Sequence, residues 1–292
     1  MPRPSFVGTP STATAPNASG TGATVTIPTP TGASVGETLL AVLTYQGAHA
    51  SDWTPPAEWT RIGPDHVNSS LVRTQSFFVL PLSSSAAGSY QFTSPDQNGR
   101  GHGFMVRVQN LNEINPVVAM SGPTGSNTSD TVVSSLSIDS TEEECLLVMT
   151  YMSNYAAPAS DVTLASGPAD MTEVYYGYTG AVDGAKTNAG VYIQDVDIET
   201  IGPKTITTSV DCAQRSVRSV VLRGGPPITP TTKTIQIYDG DSTEEAKVWW
   251  YSGSGLSPVD NILALPQGER FTIADMLAEN PFYWAHRGGS AN

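Results

Sequence analysis

The chain has 292 residues, with 27 Asp or Glu against 14 Lys or Arg, which gives a formal net charge of −13 at pH 7. A nucleic-acid-binding protein needs a basic face to neutralise phosphates, so this charge balance argues against nucleic acid as a partner. An apolar share of 39% is enough to build a core, and 27 Gly and 22 Pro indicate a globular chain that is rich in turns.

The N-terminal part, residues 1–34, is predicted to be an extended arm with an edge strand. Residues 5–22 are rich in Ser, Thr, Ala and Pro and hold few apolar anchors. We therefore expect them to run along the surface or into a neighbour, or to lack order in isolation. The alternating residues 24–27 (TVTI) predict the edge strand. No apolar run approaches the roughly 18 residues of a membrane-spanning helix, so no membrane span is expected.

Residues 35–225 contain an internal duplication that organises most of the chain. Five segments of one copy recur in order in the other: 37–45 (ETLLAVLTY) with 144–151 (ECLLVMTY), 55–62 with 167–174, 76–80 with 189–193, 89–93 with 204–208, and 103–108 (GFMVRV) with 218–223 (RSVVLR). Short segments rich in Val, Ile, Thr and aromatic residues, separated by turn residues, are typical of strands. The duplication predicts an all-β protein in which two five-stranded halves pack face to face as one jelly-roll-like β-sandwich.

A small connector is predicted after the sandwich. Paired Gly at 224–225 and three Pro directly after them make residues 226–233 a linker. Residues 234–281 follow as a β-ribbon of two strands, at 234–239 and 247–251, and then a helix at 271–280.

The two-stranded ribbon would leave a large apolar surface without a partner, since such a ribbon is marginal by itself. Its aromatic residues Trp249, Trp250 and Tyr251 are therefore predicted to form contacts between copies of the chain in an oligomer.

Residues 35–225 resemble a duplicated β-sandwich that is common in minor tail proteins of phages of actinobacteria. The similar features are the opening GETLLAV at 36–42, the loop TPPAEWT at 54–60, and the closing VVLRGG at 220–225. This resemblance implies a structural and adhesive role at the tail tip of a virion, with assembly in the host cytoplasm. It also implies other tail proteins and a host envelope glycan or lipid polymer as partners, and a homotrimer as the assembly.

Residues 284–290 (WAHRGGS) resemble the first strand and loop of glycerophosphodiester phosphodiesterases, which are TIM barrels. The resemblance implies that residues 282–292 open such a barrel and that the chain is the N-terminal part of a longer protein. It assigns proton transfer to His286, and Arg287 could stabilise phosphate charge. Gly288 and Gly289 would let the backbone approach the phosphate.

The set of catalytic residues that the phosphodiesterase family needs is incomplete in these 292 residues. The acidic metal ligands and a second His would have to follow Asn292. No cofactor is therefore expected in this segment, and Ca²⁺ or Mg²⁺ is expected only in a downstream domain. A metal-dependent phosphodiesterase acting on host envelope polymers or lipids is the alternative function for the longer chain.

A carbohydrate-binding module is a further alternative. The cluster Tyr175, Tyr176 and Tyr178 has no counterpart in the first copy, so it is the candidate for an exposed glycan contact. Trp53 could add to a sugar-stacking surface, whereas Trp59 aligns with Met171 in the duplication, which favours a place in the core.

No metal site is predicted in the sandwich. His49, His66 and His102 fall in different predicted loops without ligand spacing, so they are expected to be solvated or locally bonded. The alternating Asp195 and Asp197 are expected to mark the solvent face of a strand. Cys145 and Cys212 are expected to be buried thiols.

Overall fold

The computed structural model describes residues 2–15, 24–47, 53–63, 67–68, 73–94, 99–122, 124–126, 128, 130–155, 163–179, 186–225, 233–238, 243–250 and 283–286. Every element within these ranges is a β-strand. The helix predicted at 271–280 lies outside the described residues. The chain divides into two compact units, Met1–Pro227 and Ile228–Asn292, and this division falls within the predicted linker, residues 226–233.

The N-terminal arm and the first repeat comprise eight strands. They are β1 Ser5–Ala15, β2 Thr24–Pro28, β3 Thr38–Gly47, β4 Thr60–Ile62, β5 Val67–Asn68, β6 Arg73–Pro81, β7 Ser89–Thr93 and β8 Gly99–Gln109.

The second repeat comprises ten strands. They are β9 Val117–Met120, β10 Thr124–Ser126, β11 Asp130–Ser134, β12 Ile138–Ser140, β13 Cys145–Tyr155, β14 Leu164–Ser166, β15 Thr172–Thr179, β16 Lys186–Val196, β17 Glu199–Ile201 and β18 Thr205–Leu222.

Each repeat builds one large antiparallel sheet with the same strand order. Sheet 1 runs β1-β8-β3-β6-β4, and sheet 2 runs β10-β18-β13-β16-β15. The order β8-β3-β6-β4 in the first repeat thus matches β18-β13-β16-β15 in the second. The all-β class predicted from the sequence is confirmed. The two copies of the duplicated sequence form sheets with the same strand order.

The two large sheets pack face to face through a shared apolar core. Leu40, Phe77 and Phe104 of sheet 1 meet Val148 and Val220 of sheet 2 in this core. The outer face of sheet 1 is covered by β2 and β7, and the outer face of sheet 2 is covered by β11, β12, β14, β17 and the first part of β18. The repeats therefore form four layers, where the sequence predicted two.

The extra layers follow from the composition of the central strands. Strand β3 carries Leu39, Leu40, Ala41, Val42 and Leu43 in succession, and all five are buried. A strand that is apolar on both faces must be covered on both faces. Each repeat therefore needs a layer on its outer side in addition to the partner repeat.

Strand β1 gives the N-terminal arm a definite place. It pairs antiparallel with β8 and forms one edge of sheet 1. In the second repeat β9 and β10 pair in the same way with β18, so each repeat begins with an edge strand. Strand β18 corresponds to β7 and β8 together, because its first part pairs with β11 and its second part with β13.

The second unit is described here by three strands, β19 Lys233–Tyr238, β20 Thr243–Trp250 and β21 Tyr283–His286. They form an antiparallel sheet with β20 in the centre, in which Trp249 pairs with Trp284 and Trp250 with Tyr283. The predicted two-stranded ribbon is thus part of a three-stranded sheet.

Candidate functional site

One end of the sandwich brings together three parts of the chain, and we call it the junction end. The Asn110 side-chain amide donates to the carbonyl of Arg3 at 3.3 Å, and the Gly225 N–H donates to the carbonyl of Asn110 at 2.9 Å. The Asn112 N–H donates to the carbonyl of Arg223 at 3.0 Å. The N-terminal arm, the connection between the repeats and the exit from the sandwich therefore meet here.

At the opposite end, which we call the loop end, β3 and β13 end and β8 and β16 begin. Gly47, at the end of β3, pairs with Gly99, at the start of β8, and Tyr155 pairs with Lys186 in the same way in sheet 2. The ring of His102 near the start of β8 bonds to Thr187 near the start of β16, so the loop ends of both sheets coincide.

Two similar ion pairs lie at the junction end. Arg107 holds Glu37 through Nε at 2.8 Å and Nη2 at 2.6 Å, and Arg223 holds Glu142 through Nε at 2.7 Å and Nη2 at 2.5 Å. Such two-pronged pairs are the strongest arrangement of these groups. The hydrogen bonds from Arg107 lower the pKa of Glu37 to about 2.

Arg3 ties the N-terminal arm to the second repeat. Its guanidinium lies 2.7 Å from Asp197, 3.2 Å from Asp195 and 3.7 Å from Glu144. Both Asp side chains are exposed, as the sequence predicted for a solvent face, and they serve as partners of an arginine.

A layer of polar side chains lies between the two sheets near the loop end, and we call it the polar layer. Its members are buried to the same degree as the apolar core beside it: Thr44, Gln75, His102, Thr150, Thr187, Ser216 and Arg218. Arg218 Nη1 donates to the carbonyl of Gln75 at 2.6 Å, and its guanidinium carbon lies 5.8 Å from the ring centre of Phe77. His102 and Arg218 therefore both reach from one repeat to a backbone carbonyl of the other.

Strand register shows that these two side chains occupy equivalent positions. Thr44 and Thr150 each precede the Tyr that ends the repeated motif, and they pair with His102 and Arg218 respectively. The last matched segments of the duplication are therefore shifted by one residue from the predicted alignment: Gly103 corresponds to Ser219.

The prediction that His102 lies in a loop as a solvated or locally bonded side chain is wrong, because it is buried in β8 and reaches across to the other sheet. Its Nε2 lies 2.8 Å from the Thr187 carbonyl oxygen, which can only accept, so Nε2 carries the proton. Burial lowers the pKa of His102 to about 4, although the bond to Thr187 acts in the opposite direction. The imidazole is therefore neutral at pH 7. His49 and His66 lie outside the described residues.

The tyrosines predicted to contact glycans are half-buried where their side chains are described. Tyr175 packs into the core between the sheets with its ring centre 5.9 Å from that of Phe104, whereas Tyr176 stacks 6.5 Å from Tyr151 on the outer side of sheet 2. Burial raises the pKa of both hydroxyls. These two rings face opposite sides of one sheet and so cannot form a single stacking surface. Tyr178 lies on the same strand, β15.

The two tryptophans of the first repeat belong to the core. Trp59 is buried beside Tyr90 and Phe92, as its alignment with Met171 predicted. Trp53 is also buried, against Tyr45, which removes it from the candidates for a sugar-stacking surface. The turn that ends at Trp59 and the turn that ends at Met171 are closed by the same hydrogen bond, since their N–H groups donate to the carbonyls of Pro56 and Pro168. The two turns differ in backbone conformation, because Asp170 has a φ of 61°.

The residues that resemble a phosphodiesterase motif are described only at their start. The backbone of His286 ends strand β21, and Arg287, Gly288 and Gly289 lie outside the described residues, as does Tyr251. Strand β21 pairs antiparallel with β20, whereas the strands of a TIM barrel are parallel to their neighbours.

Other kinds of site find little support in the part of the chain that the structure describes. It contains no group of three or more His, Cys, Asp or Glu side chains placed to hold a metal ion. No helix capable of crossing a bilayer is found among the described residues. Cys145 and Cys212 are free thiols and both are buried, as predicted.

Comparison with known proteins gives no match for this chain among protein families, curated proteins or solved structures.

The polar layer is the main feature that the sequence reasoning missed. A signal was present for Arg218, which interrupts the apolar run from Val217 to Leu222 at a position that shares the inward face with Val220. His102 gave a similar signal, two residues before the inward-facing Phe104. His102 lies outside its predicted segment because β8 begins at Gly99, whereas Arg218 is the first residue of the predicted segment 218–223.

Proposed function

We propose that this chain is a structural and adhesive minor tail protein of a phage, located at the tail tip, which presents a distal module to the host cell envelope. The tail context comes from the resemblance of residues 35–225. The observation that supports the adhesive role is that the two ends of the sandwich differ. Its junction end brings together the described start of the N-terminal arm, the connection between the repeats and the exit at Gly225, and its loop end lies at the far side of the central strands.

This difference supports a separate role for each end of the sandwich. An adhesive domain must be held by one face and must offer another, and binding loops carried by a rigid scaffold are the usual way to do this. In this protein the junction end is stiffened by the ion pairs of Arg107 and Arg223 and by the bonds of Arg3. We therefore assign docking on other tail proteins to the junction end and contact with an envelope glycan or lipid polymer to the loop end.

The location is tested by labelling the protein on purified tails with gold-coupled antibody and viewing them by negative-stain electron microscopy. Label concentrated at the tail tip is the expected result. Tails that are intact and lack the protein would overturn the proposal.

The orientation is tested by site-specific crosslinking from cysteine variants. Val35→Cys places a thiol on an exposed residue beside the start of β3, at the junction end, and Thr54→Cys places one on an exposed residue near the start of β8, at the loop end. The native thiols are buried, so the introduced ones are the reactive ones. On assembled tails we expect crosslinks to tail proteins from position 35 and few from position 54. The reverse pattern would contradict the assignment of the two ends while leaving the tail location intact.

A homotrimer is part of the proposal and rests on the resemblance. The described strands pair both edges of β20, and the contacts between copies predicted for Trp249, Trp250 and Tyr251 stay a prediction. Light scattering of the purified protein checks this point: a mass of three chains is expected, and a stable monomer would contradict it.

As a second proposal, a longer chain that contains these residues is a metal-dependent phosphodiesterase. The strand β21 leads directly into the motif that resembles this family, with His286 at the end of the strand. If this proposal holds, a chain that continues past Asn292 should hydrolyse glycerophosphocholine and lose this activity on His286→Ala. The present 292 residues should be inactive in the same assay. A longer chain that binds the envelope without hydrolysis would leave only the adhesive role.

A further inference from the structure

The polar layer between the repeats contains two facing rows of residues. In sheet 1 the row crosses three neighbouring strands, because Thr44 on β3 pairs with both Gln75 on β6 and His102 on β8. In sheet 2 the row that faces it crosses β18, β13 and β16, where Met152 pairs with both Ser216 and Ala189. The two rows touch, since Gln75 Nε2 lies 3.4 Å from the carbonyl oxygen of Ser216.

Four polar atoms in these rows are buried and have no hydrogen-bond partner among the described residues. They are Thr44 Oγ1, Gln75 Oε1, His102 Nδ1 and Ser216 Oγ. Buried polar atoms in folded proteins are nearly always bonded, because an unmet donor or acceptor has lost its bonds to water. Four unmet atoms within these two rows therefore point to a bridging molecule.

The chemistry of the four atoms restricts what that molecule can be. His102 Nδ1 is an acceptor, because Nε2 carries the proton, and Gln75 Oε1 is also an acceptor. An anion could accept from the two hydroxyls, but it would leave both of these acceptors unmet. The positive charge of Arg218 in the same layer disfavours a metal cation. Water donates two hydrogen bonds and accepts two, which matches two acceptors and two hydroxyl groups.

We propose that ordered water binds in this layer, donates to His102 Nδ1 and Gln75 Oε1, and accepts from the hydroxyls of Thr44 and Ser216. These waters join the two repeats near the loop end, where the apolar core gives way to polar residues. Buried waters with several polar partners are an integral part of many folds. The proposal is independent of the tail function proposed above.

The repeat supplies a matched pair of variants for a decisive test. Thr44→Val removes a hydroxyl that, on this proposal, binds water, and the change keeps the shape of the side chain. Thr150→Val makes the same change at the equivalent position of the second repeat, where the hydroxyl donates to the carbonyl of Arg218 at 3.3 Å. The midpoint of urea unfolding at pH 7 is measured for both variants and the parent protein.

If water occupies the layer, Thr44→Val lowers the midpoint, with a rise in the unfolding constant of roughly threefold to tenfold, similar to Thr150→Val. If the layer is dry, Thr44→Val removes an unmet polar atom and its midpoint stays the same or rises, while that of Thr150→Val still falls. A midpoint for Thr44→Val at or above that of the parent overturns the proposal.

A second measurement on the unaltered protein needs no variant to fold. Long-range ¹H–¹⁵N spectra of the His102 ring, together with magnetisation transfer from slowly exchanging water, report the environment of Nδ1. An Nδ1 shift typical of an accepted hydrogen bond, with transfer from bound water to the ring, is expected. A free Nδ1 without such transfer contradicts the proposal.

Discussion

His102 and Arg218 occupy equivalent positions in the two repeats and make equivalent contacts with different chemistry. Each reaches from the last strand of its own repeat to a backbone carbonyl of the other, Thr187 in one case and Gln75 in the other. Arginine remains charged at any accessible pH, whereas histidine titrates near neutrality. Only one of the two cross-links is therefore sensitive to acid.

The first prediction concerns the pH dependence that His102 creates. Its pKa is about 4 in the folded protein, below the ordinary value of 6.5, so the unfolded chain binds a proton more readily. The free energy of unfolding should be at its full value above pH 6.5 and should fall as the pH drops from 6.5 to 4, by at most about 3 kcal/mol. Urea unfolding at half-unit steps from pH 7 to pH 4 measures this slope.

His102→Gln is the control for this prediction, because a Gln amide can still donate to Thr187 but does not titrate. The variant should lose most of the slope between pH 6.5 and 4. Arg218 is the charged side chain that the described residues place in the same layer, and it does not titrate in this range. A slope that survives in His102→Gln would show that another group causes it.

The second prediction compares the ion pairs of Arg107 and Arg223. Glu37 is 6% exposed, whereas Glu142 is 39% exposed. Glu37→Gln leaves a largely buried guanidinium without its carboxylate and should cost about 1–3 kcal/mol at pH 7, while Glu142→Gln should cost less than about 1 kcal/mol. Urea unfolding of the two variants checks the difference.

The sign of the pH effect gives a further check on Glu37. Its folded pKa is about 2, below the ordinary value of 4.5, so its contribution is complete above pH 4.5 and is lost as the pH falls towards 2. The difference between Glu37→Gln and the parent should shrink in that range. Equal costs for the two variants at pH 7 would indicate that burial does not govern the strength of these pairs.

At the scale of elements, two glycines of β8 let the outer layer of the first repeat approach sheet 1. A Cβ on Gly103 would lie 2.5 Å from Cδ1 of Ile27 and 2.7 Å from Cγ1 of Val25, and both of these residues of β2 are fully buried. A Cβ on Gly101 would likewise lie 3.1 Å from Cγ2 of Val25. The close approach of β2 to β8 therefore requires glycine at position 103 above all.

The third prediction is that Gly103→Ala destabilises the protein by about 1–3 kcal/mol, as overpacking of a dense core does. Gly88→Ala is the matched control, because a Cβ there meets no atom within 4 Å, and it should change stability by less than about 0.5 kcal/mol. Thermal unfolding followed by circular dichroism compares them. A similar melting temperature for both variants would contradict the packing argument.

Much of the strand content could be predicted from the sequence, and the failures have a common cause. The central strands of both repeats are predictable, because they are continuous apolar runs bounded by turn residues. Strand β1 was not predicted as a strand, since its Ser, Thr, Ala and Pro residues lack a clear pattern and it is held by pairing with β8. Strand propensity depends on what a strand packs against, which the local sequence does not state.

The candidate site was harder to predict than the fold. Tyr175 and Tyr176 are absent from the first repeat, which suggested exposure, yet both are half-buried because β15 carries residues that pack on both faces of sheet 2. The polar layer depends on which residues from distant strands face one another. Equivalent positions such as 102 and 218 become visible only when the strand register is known.

At the scale of the whole molecule, the core between the sheets makes the two repeats dependent on each other. Sheet 1 contributes Leu40, Val42, Phe77 and Phe104 to this core, and a first repeat without its partner would expose this apolar face to water. A sheet with a large uncovered apolar face is unstable and tends to aggregate. Residues 1–111 alone should therefore fail to form a stable monomer.

The fourth prediction is that a fragment of residues 1–227 unfolds in one cooperative transition in which both repeats take part. The fragment contains natural probes for each repeat: its two tryptophans, Trp53 and Trp59, lie in the first repeat, and its two thiols, Cys145 and Cys212, lie buried in the second. Tryptophan fluorescence and the reactivity of the thiols are followed across the same urea series. Because unfolding of either repeat uncovers the core face of the other, the two midpoints should coincide. Thiols that become reactive at a urea concentration where the tryptophan signal is still native would show that the repeats unfold independently, and that the shared core does not couple them.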